Sequence, residues 1–458
     1  MSTIASVKQT DKKKAKELKL FPLTWPIFLE LFLFMLMGST DIFMLSAVSD
    51  HAVSGVGAAN QFISIAILIL EVIGTGAAIV VAQYIGSGKL AESSRIAAIA
   101  ITLNLLVGIV ISILFLCFSG PLLHAMNLQG DIHAYASTYL TIVGGSIFLQ
   151  ALINTLASVI RTHGYTRESM LISMGMNIVH VLANYVLIFG HYGFPELGVT
   201  GAAISTVFSR AVALLVFFWL LYRLLTVKIK FRDYFSFTKE YIRKILAIGV
   251  PAAFEQVTYQ ACQSVFLFYV TFLGAAELAS RQYAMNISTY IYLFSLAIGM
   301  GTAIVTGRLV GANRKSEAYS RVWKSLRWGL ILTLIVELFV ILYRESLVGI
   351  FTDDLDIIRL TSQVILLSIF LESGRTFNLI LINSLRAAGD AKFPVYMGLI
   401  SMVGVSLPLG YFLVFTLDLG LAGVWLAIAA DEWIRGIVMF FRWKSRAWES
   451  KSLVSPSE

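Results

Sequence analysis

Carboxylates stand inside stretches of this chain that are otherwise apolar: Glu30, Asp41, Glu71, Glu255, Glu337, Glu372, Asp431 and Glu432. Each costs on the order of 3 kcal/mol at the centre of a membrane-spanning helix, so such a group is kept for a function or for a partner. A carboxylate taken out of water can bind and release a proton near neutral pH. It can equally hold Na+ where neighbouring oxygens complete a shell, and Ser39 and Thr40 stand beside Asp41 with hydroxyls. A cationic organic ligand would compete with either ion for the same charge. That competition is antiport in its simplest form.

Spacing groups these residues further. Glu30 and Asp41 are 11 residues apart; at about 100° per residue they return to nearly one helix face, roughly 16 Å apart along the axis. Pro26 and Pro251 each precede a Glu by one turn and would loosen backbone hydrogen bonding near a helix end. Phe254, Tyr259, Phe266 and Tyr269 flank or follow Glu255, as packing, as lipid-facing rings or as cation–π contacts. Tyr283, Asn286, Asn60 and Gln61 are uncharged polar candidates, and His180 and Asn184 share a face at i, i+4, as packing polar groups or as a relay. Glu372 and Arg375, at i, i+3, can neutralise each other. Asp431, Glu432 and Arg435 read as an ion-pair cluster near a helix end, and Glu337 has no partner in sequence. The candidates for ion coupling or substrate contact are therefore Glu255, Asp41, Glu30, Glu71, Arg375, Glu372, His180, Asn184, Tyr259, Tyr283 and Asn286. Asp41 or Glu255 is the place for Na+ if that is the ion.

The elements that carry them are membrane helices. Of 458 residues, 58% are hydrophobic and 14% charged, against about 25% charged in a soluble domain. Apolar runs long enough to cross a bilayer recur throughout, and only helices or closed barrels satisfy their backbone there. Without period-2 alternation these runs are helices. Twelve spans are predicted: 21–47, 53–85, 94–120, 135–160, 168–189, 198–224, 243–273, 278–310, 318–343, 357–385, 393–416 and 420–441. The second and eighth exceed a straight span and are expected to tilt, or to break near Gly74/Gly76 and Gly299/Gly301.

Lys and Arg gather on alternate connections: Lys12 to Lys19 in the leader, Arg223 to Lys239 after span 6, Arg308 to Arg321 after span 8, and Arg442 to Arg446 in the tail. The loops around 120–134 and 190–197 have none. By the positive-inside rule both termini are cytoplasmic. The net charge of +8 is thus topology and not a nucleic-acid footprint, although the leader can also touch anionic lipid.

The chain also matches itself. Pro26 and Glu30 recur as Pro251 and Glu255, Gly74-x-Gly76 as Gly299-x-Gly301, Gly86 as Gly311, Arg161 as Arg386 and Gly164 as Gly389, all offset by 225 residues. Gly198-x-x-Gly201 recurs as Gly420-x-x-Gly423 at an offset of 222, so the second copy has lost about three residues after Gly389. Asp41 has no acidic twin; Phe266 stands at its counterpart. Six spans per copy is an even number, so both copies enter the bilayer in the same sense. The expected fold is an all-α polytopic membrane protein, with twelve transmembrane helices in two six-helix lobes related by a pseudo-two-fold along the membrane normal. The divisions are a basic leader 1–20, an N-lobe 21–225, a cytoplasmic linker 226–241, a C-lobe 242–442 and a cytoplasmic tail 443–458.

Other chemistry lacks its motif. Cys117 and Cys262 lie in apolar runs and imply neither disulfides nor a metal site. No GxxxxGK[ST] loop exists for ATP hydrolysis, and the six His are scattered without metal-ligand spacing. An enzyme is not indicated, and no cofactor beyond a coupling ion.

In this setting the residues resemble the multidrug and toxic compound extrusion family. The resemblance spans roughly 20–445 and rests on Pro26 with Met37-Gly38-Ser39-Thr40-Asp41, Gly74-x-Gly76 with Gly86, and Arg161-x-x-Gly164. It rests equally on Gly198-x-x-Gly201-Ala202-Ala203, Pro251 with Glu255, Leu385-Arg386-Ala387-Ala388-Gly389-Asp390, and Asp431-Glu432-Trp433. It implies export of organic cations and drugs, driven by Na+ or H+, through two six-helix lobes that alternate access. By position Asp41 matches the span-1 acid that members use for coupling, and Glu255 lies in the span-7 region where many hold a coupling Glu. Two departures follow: His180 and Asn184 stand where an Asn/Asp pair is expected, and Arg375 near the place of a coupling Asp. Arg375 would then pair with Glu372 or Glu255, which makes Glu255 the preferred coupling group.

The expected protein is a secondary active exporter of small organic cations, drugs or amphipathic compounds, monomeric, multi-pass in the cell membrane (the inner one in a two-membraned bacterium). The alternative is a lipid-linked oligosaccharide flippase of the same superfamily. That would need a basic interior for its anionic pyrophosphate, whereas Arg375 is here read as the one clear cation at mid-membrane depth.

Overall fold

A computed structural model describes residues 19–454, so most of the basic leader, including Lys12, Lys13, Lys14 and Lys16, lies outside the described residues. The first six predicted spans are met by α1 (Leu20–Ser46), α2 (Asp50–Gly86), α3 (Leu90–Ala125), α4 (Gly130–Tyr139) with α5 (Phe148–Thr162), α6 (Thr166–Phe189) and α7 (Gly198–Leu224). After a short α8 (Phe231–Tyr234) come α9 (Lys239–Thr271), α10 (Ala275–Gly311), α11 (Lys315–Leu342), a short α12 (Arg344–Val348) and α13 (Leu355–Ala387). The last two spans are α14 (Lys392–Ser401) continuing through wide turns into α15 (Leu407–Tyr411), and α16 (Gly420–Lys444). The described residues contain no strand.

Nine of these helices are long and apolar enough to cross a membrane, or ten when α4 and α5, bent by 48°, count as one span. The two segments that fall short are α9 and α16, which carry Glu255 and the Asp431, Glu432 and Arg435 cluster. Their polarity is the price of the charged interior described below.

Of tilt and break, the two expectations for the second and eighth spans, no break occurs. α2 and α10 each run unbroken for 37 residues. Their paired glycines serve close approach instead: a Cβ on Gly76 would run into the carbonyl of Ile245, and one on Gly301 into the side chain of Thr24. Ile245 and Thr24 belong to the first turns of α9 and α1. Removing the side chain lets one backbone lie against another.

The chain condenses into two compact units. Among the described residues the C-terminal unit holds 19–28, Gly86–Gly88 and 250–454; the N-terminal unit holds Leu29–Ile85 and Lys89–Gly249. These boundaries differ from the expected lobe limits at 225 and 242, and each cuts a helix within three residues of its proline, Pro26 in α1 and Pro251 in α9. The start of α1 is part of the C-terminal core, where Leu23 packs with Ile298, Val305 and Leu381. The start of α9 is correspondingly part of the N-terminal unit, seated on Gly76. The segment 226–241, expected as a linker, is fastened to α3 by Ser94 to the Val227 carbonyl (2.7 Å), Arg95 to Ser236 (2.7 Å) and Thr102 to the Tyr234 carbonyl (2.8 Å).

Candidate functional site

The internal repeat carries an ion pair in each unit. In the N-terminal unit Arg161 of α5 lies 3.0 Å from Glu30 of α1. In the C-terminal unit Arg386 of α13 lies 2.6 Å from Glu255 of α9. Both partners are shifted by the same 225 residues. Each pair follows shortly after the proline at which its helix passes from one unit to the other, and so fastens that helix to the unit it has entered. The surroundings then diverge. Ser169 and Ser173 of α6 donate to Glu30 at 3.0 and 3.1 Å. Their counterparts at the same offset, Pro394 and Gly398, offer no hydroxyl, and Gly398 instead leaves room for the Glu255 side chain.

Arg435 supplies what the serines do not. It lies 3.6 Å from Glu255, 2.8 Å from Asp431 and 3.1 Å from Glu432, all within the C-terminal unit. Glu432 continues the chain of charge to Arg375 at 3.6 Å, and Arg375 binds Glu372 at 2.6 Å. Neutral donors fill in around them. Asn378 donates to Glu432 (2.8 Å), Ser401 to Asp431 (2.6 Å), Ser288 to Glu372, and Arg375 to the Tyr259 hydroxyl (3.3 Å), which also accepts from Gln263 (3.0 Å). The guanidinium of Arg375 also rests over the ring of Tyr292. Charges buried in this way are tolerated because each is paired and hydrogen-bonded. Arg375 thus pairs with Glu372 and Glu432, not with Glu255.

The second polar site lies in the N-terminal unit around Asp41. Asn184 donates to Asp41 Oδ1 at 2.6 Å, and His180 Nε2 lies 3.3 Å from the same oxygen and 3.2 Å from Thr206. All of these side chains are buried. Arg210 of α7 and Tyr139 at the end of α4 are buried in the same region and act electrostatically on Asp41 or on each other. No Lys or Arg approaches Asp41 within ion-pair distance among the described residues. Of the hydroxyls expected to complete a Na+ shell, Thr40 donates to the Leu36 carbonyl (2.9 Å) and Ser39 to the Met35 carbonyl (3.4 Å).

The sequence-derived candidates therefore separate into groups. Glu255, Glu372, Arg375 and Tyr259 join one network, and Asp41, His180 and Asn184 another. Glu30 belongs to the repeat ion pair. Glu71 is exposed and Asn286 half-buried, and neither shares a hydrogen bond with these networks among the described residues; Tyr283 stacks on Phe351. Four basic partners were missed as site residues: Arg161, Arg386, Arg210 and Arg435, the last read only as part of an ion-pair cluster. The first two were visible as residues matched at the same offset as the two glutamates, a doubled pair of opposite charges. Arg210 was visible as a lone cation within an apolar run. Arg375 is accordingly not the lone buried cation, since Arg210, Arg281, Arg386 and Arg435 are also largely buried.

A family model described as MatE matches residues 26–186 and 251–412, two segments whose starts lie one repeat length apart. Over 451 residues the chain is 41% identical to a Bacillus subtilis protein named uncharacterized transporter YisQ, covering 98% of this chain and 99% of that one. It is 26% identical over 458 residues to the probable multidrug resistance protein NorM of Thermotoga maritima, covering 97% and 96%. A crystal structure described as MATE in the bent conformation superposes with a TM-score of 0.87 at 21% identity, over 98% of this chain and 99% of that one. A multidrug resistance MATE family transporter in an outward-facing conformation superposes with a TM-score of 0.85 at 20% identity, over 95% and 96%. At these identities the superpositions speak for the fold.

Proposed function

The chain belongs to the MatE family of membrane transporters, and from that premise we propose that it is a secondary active multidrug exporter. It exchanges cationic or amphipathic organic compounds for H+ or Na+ by alternating access, with both termini cytoplasmic. Asp41 is the observation that carries this reading. Glu30 and Glu255 are each held by an arginine that the repeat places in both units. Asp41 breaks the repeat and is held by Asn184 and His180, with no Lys or Arg within ion-pair distance among the described residues and Arg210 acting on it from farther off. A carboxylate so placed can change its protonation state while the scaffold around it stays paired. The donor set around Asp41 favours H+ as the driving ion.

Glu255, Glu372, Arg375 and Tyr259 form the frame of the C-terminal unit, and its charge balance is a contact surface for a cationic substrate only where a carboxylate is released from its arginine. The flippase alternative asks for cations free to meet a pyrophosphate; Arg375, Arg386 and Arg435 are each committed to carboxylates, whereas Arg210 and Arg281 have no carboxylate within ion-pair distance among the described residues. The names of the relatives, several of them multidrug resistance proteins, point the same way.

The test is efflux of a fluorescent cationic dye from proteoliposomes under an imposed pH or Na+ gradient. Wild-type protein should move dye under one of the gradients, and Asp41→Asn should insert and fold normally but lose at least about tenfold of the gradient-driven rate. Full gradient-driven transport by Asp41→Asn would remove Asp41 from the coupling role.

A further inference from the structure

Glu337 lies outside both networks. Its side chain is fully buried, and neither carboxylate oxygen has a hydrogen-bond partner. No base lies within ion-pair distance of it among the described residues, although every other acid in the interior of the C-terminal unit has one. Its surroundings can be read from the turn before it. Thr333 Oγ1 lies 2.9 Å from Thr376 Oγ1 on α13, which lies 2.6 Å from Ser295 Oγ on α10. Consecutive spans run in opposite senses, so one turn onward from Thr333 meets one turn back from Thr376. That brings Glu337 level with Glu372, which accepts from Ser288 of α10.

The charges acting on Glu337 are those of Glu372 and Arg375. These two are already an ion pair at 2.6 Å, and Arg375 is further shared with Glu432. Around them α10 adds Tyr292 beneath Arg375, and the Arg344 and Glu345 side chains of α12 pair with each other at 3.8 Å. Nothing is left to balance a negative charge on Glu337. An isolated ionised carboxylate in an apolar interior takes up a proton rather than remain charged. No group of three His, Cys, Asp or Glu side chains able to hold a metal ion occurs among the described residues, and Na+, which also accepts hydroxyl oxygens, is separated from H+ by the test below.

We propose that Glu337 is a second proton-binding site, in the C-terminal unit and separate from Asp41, with its carboxyl protonated at rest. The step is a simple proton transfer: the carboxyl O–H gives its proton to water when the interior opens to it, leaving the carboxylate anion and hydronium. Only the use of this site in transport rests on the antiport reading; the bound proton does not.

The test is infrared spectroscopy of the full chain in lipid at neutral pH, in H2O and in D2O. Wild-type protein should give a protonated-carboxyl C=O band that shifts in D2O. Glu337→Gln should lose that band while Asp41→Asn keeps it, and Glu337→Met supplies the same comparison should the Gln variant misfold. An unchanged band in both Glu337 variants overturns the proposal, as does loss of the wild-type band on adding Na+ at constant pH. Proton movement per substrate, measured in the same vesicles, should fall in Glu337→Gln. If the band behaves as expected while no gradient drives transport, the proton site stands and the antiport reading falls.

Discussion

Replacing Arg386 by Gln removes the main partner of a carboxylate that is only 6% exposed. Glu255 would keep Arg435 at 3.6 Å, a guanidinium already bound to Asp431 and Glu432 at 2.8 and 3.1 Å. With charge centres about 4 Å apart and an effective dielectric near 20, one ion pair is worth on the order of 4 kcal/mol. Removing one partner of a buried pair costs about 3–5 kcal/mol, and the residual contact to Arg435 places this case at about 3 kcal/mol. Glu255→Gln/Arg386→Gln removes both charges and leaves two amides of similar size, for a cost of about 1 kcal/mol, since replacing a whole buried pair is close to neutral. The double-mutant cycle should therefore give a coupling of about 2 kcal/mol or more. The assay is thermal unfolding of the purified protein in detergent, followed by tryptophan fluorescence, for wild type, both single variants and the double. An Arg386→Gln protein as stable as wild type, or a double variant whose loss equals the sum of the singles, would show that the Glu255–Arg386 pair does not hold the C-terminal unit together. The repeat twin should respond in the same direction and less, because Glu30 retains two serine donors, each worth about 1.5–3 kcal/mol to a charged acceptor.

Two further outcomes follow from the same geometry. Gly76→Ala should destabilise by about 1–3 kcal/mol because its methyl meets the backbone carbonyl of Ile245, whereas Gly301→Ala should cost less, since the Thr24 side chain that it meets can rotate; melting curves in detergent rank the two. Ser173→Ala should weaken the seat of Glu30 by about 1–3 kcal/mol with normal expression, and the loss should grow when Arg161 is also replaced, since the serines are then the donors left to the buried carboxylate, read from the same curves.

Much of the fold could be read because bilayer physics writes it in composition. Each of the twelve predicted runs meets a helical segment, and the 225-residue echo returns as two family-matched halves. The glycines of α2 and α10 were misjudged for a physical reason. Sequence shows that a side chain is missing but not whether a bend or a neighbouring backbone needs the space. The neighbour proved to be the first turns of α9 and α1, a tertiary choice that no local pattern contains. The same limit applies to the acids. Cost at mid-membrane depth marked all of them, but partners decide their roles, and partners come from distant helices. Glu30 and Glu255 found arginines, Asp41 found an amide and an imidazole, and Glu337 found neither. For the first two the pairing was legible, since Arg161 and Arg386 repeat at the offset of the glutamates. For Asp41 the shared face of His180 and Asn184 was legible, and their aim at Asp41 was not.

In the proposed antiport one protein couples an organic cation to an ion moving the opposite way. Coupling of this kind is reciprocal, so a substrate gradient alone must drive the ion. Vesicles holding the protein and a pH-sensitive dye, with no initial pH or Na+ gradient, should register proton movement opposite to an added gradient of cationic substrate, and Asp41→Asn vesicles should not. Substrate entering with no counter-movement of H+, and none of Na+ when sodium is followed instead, would contradict the account.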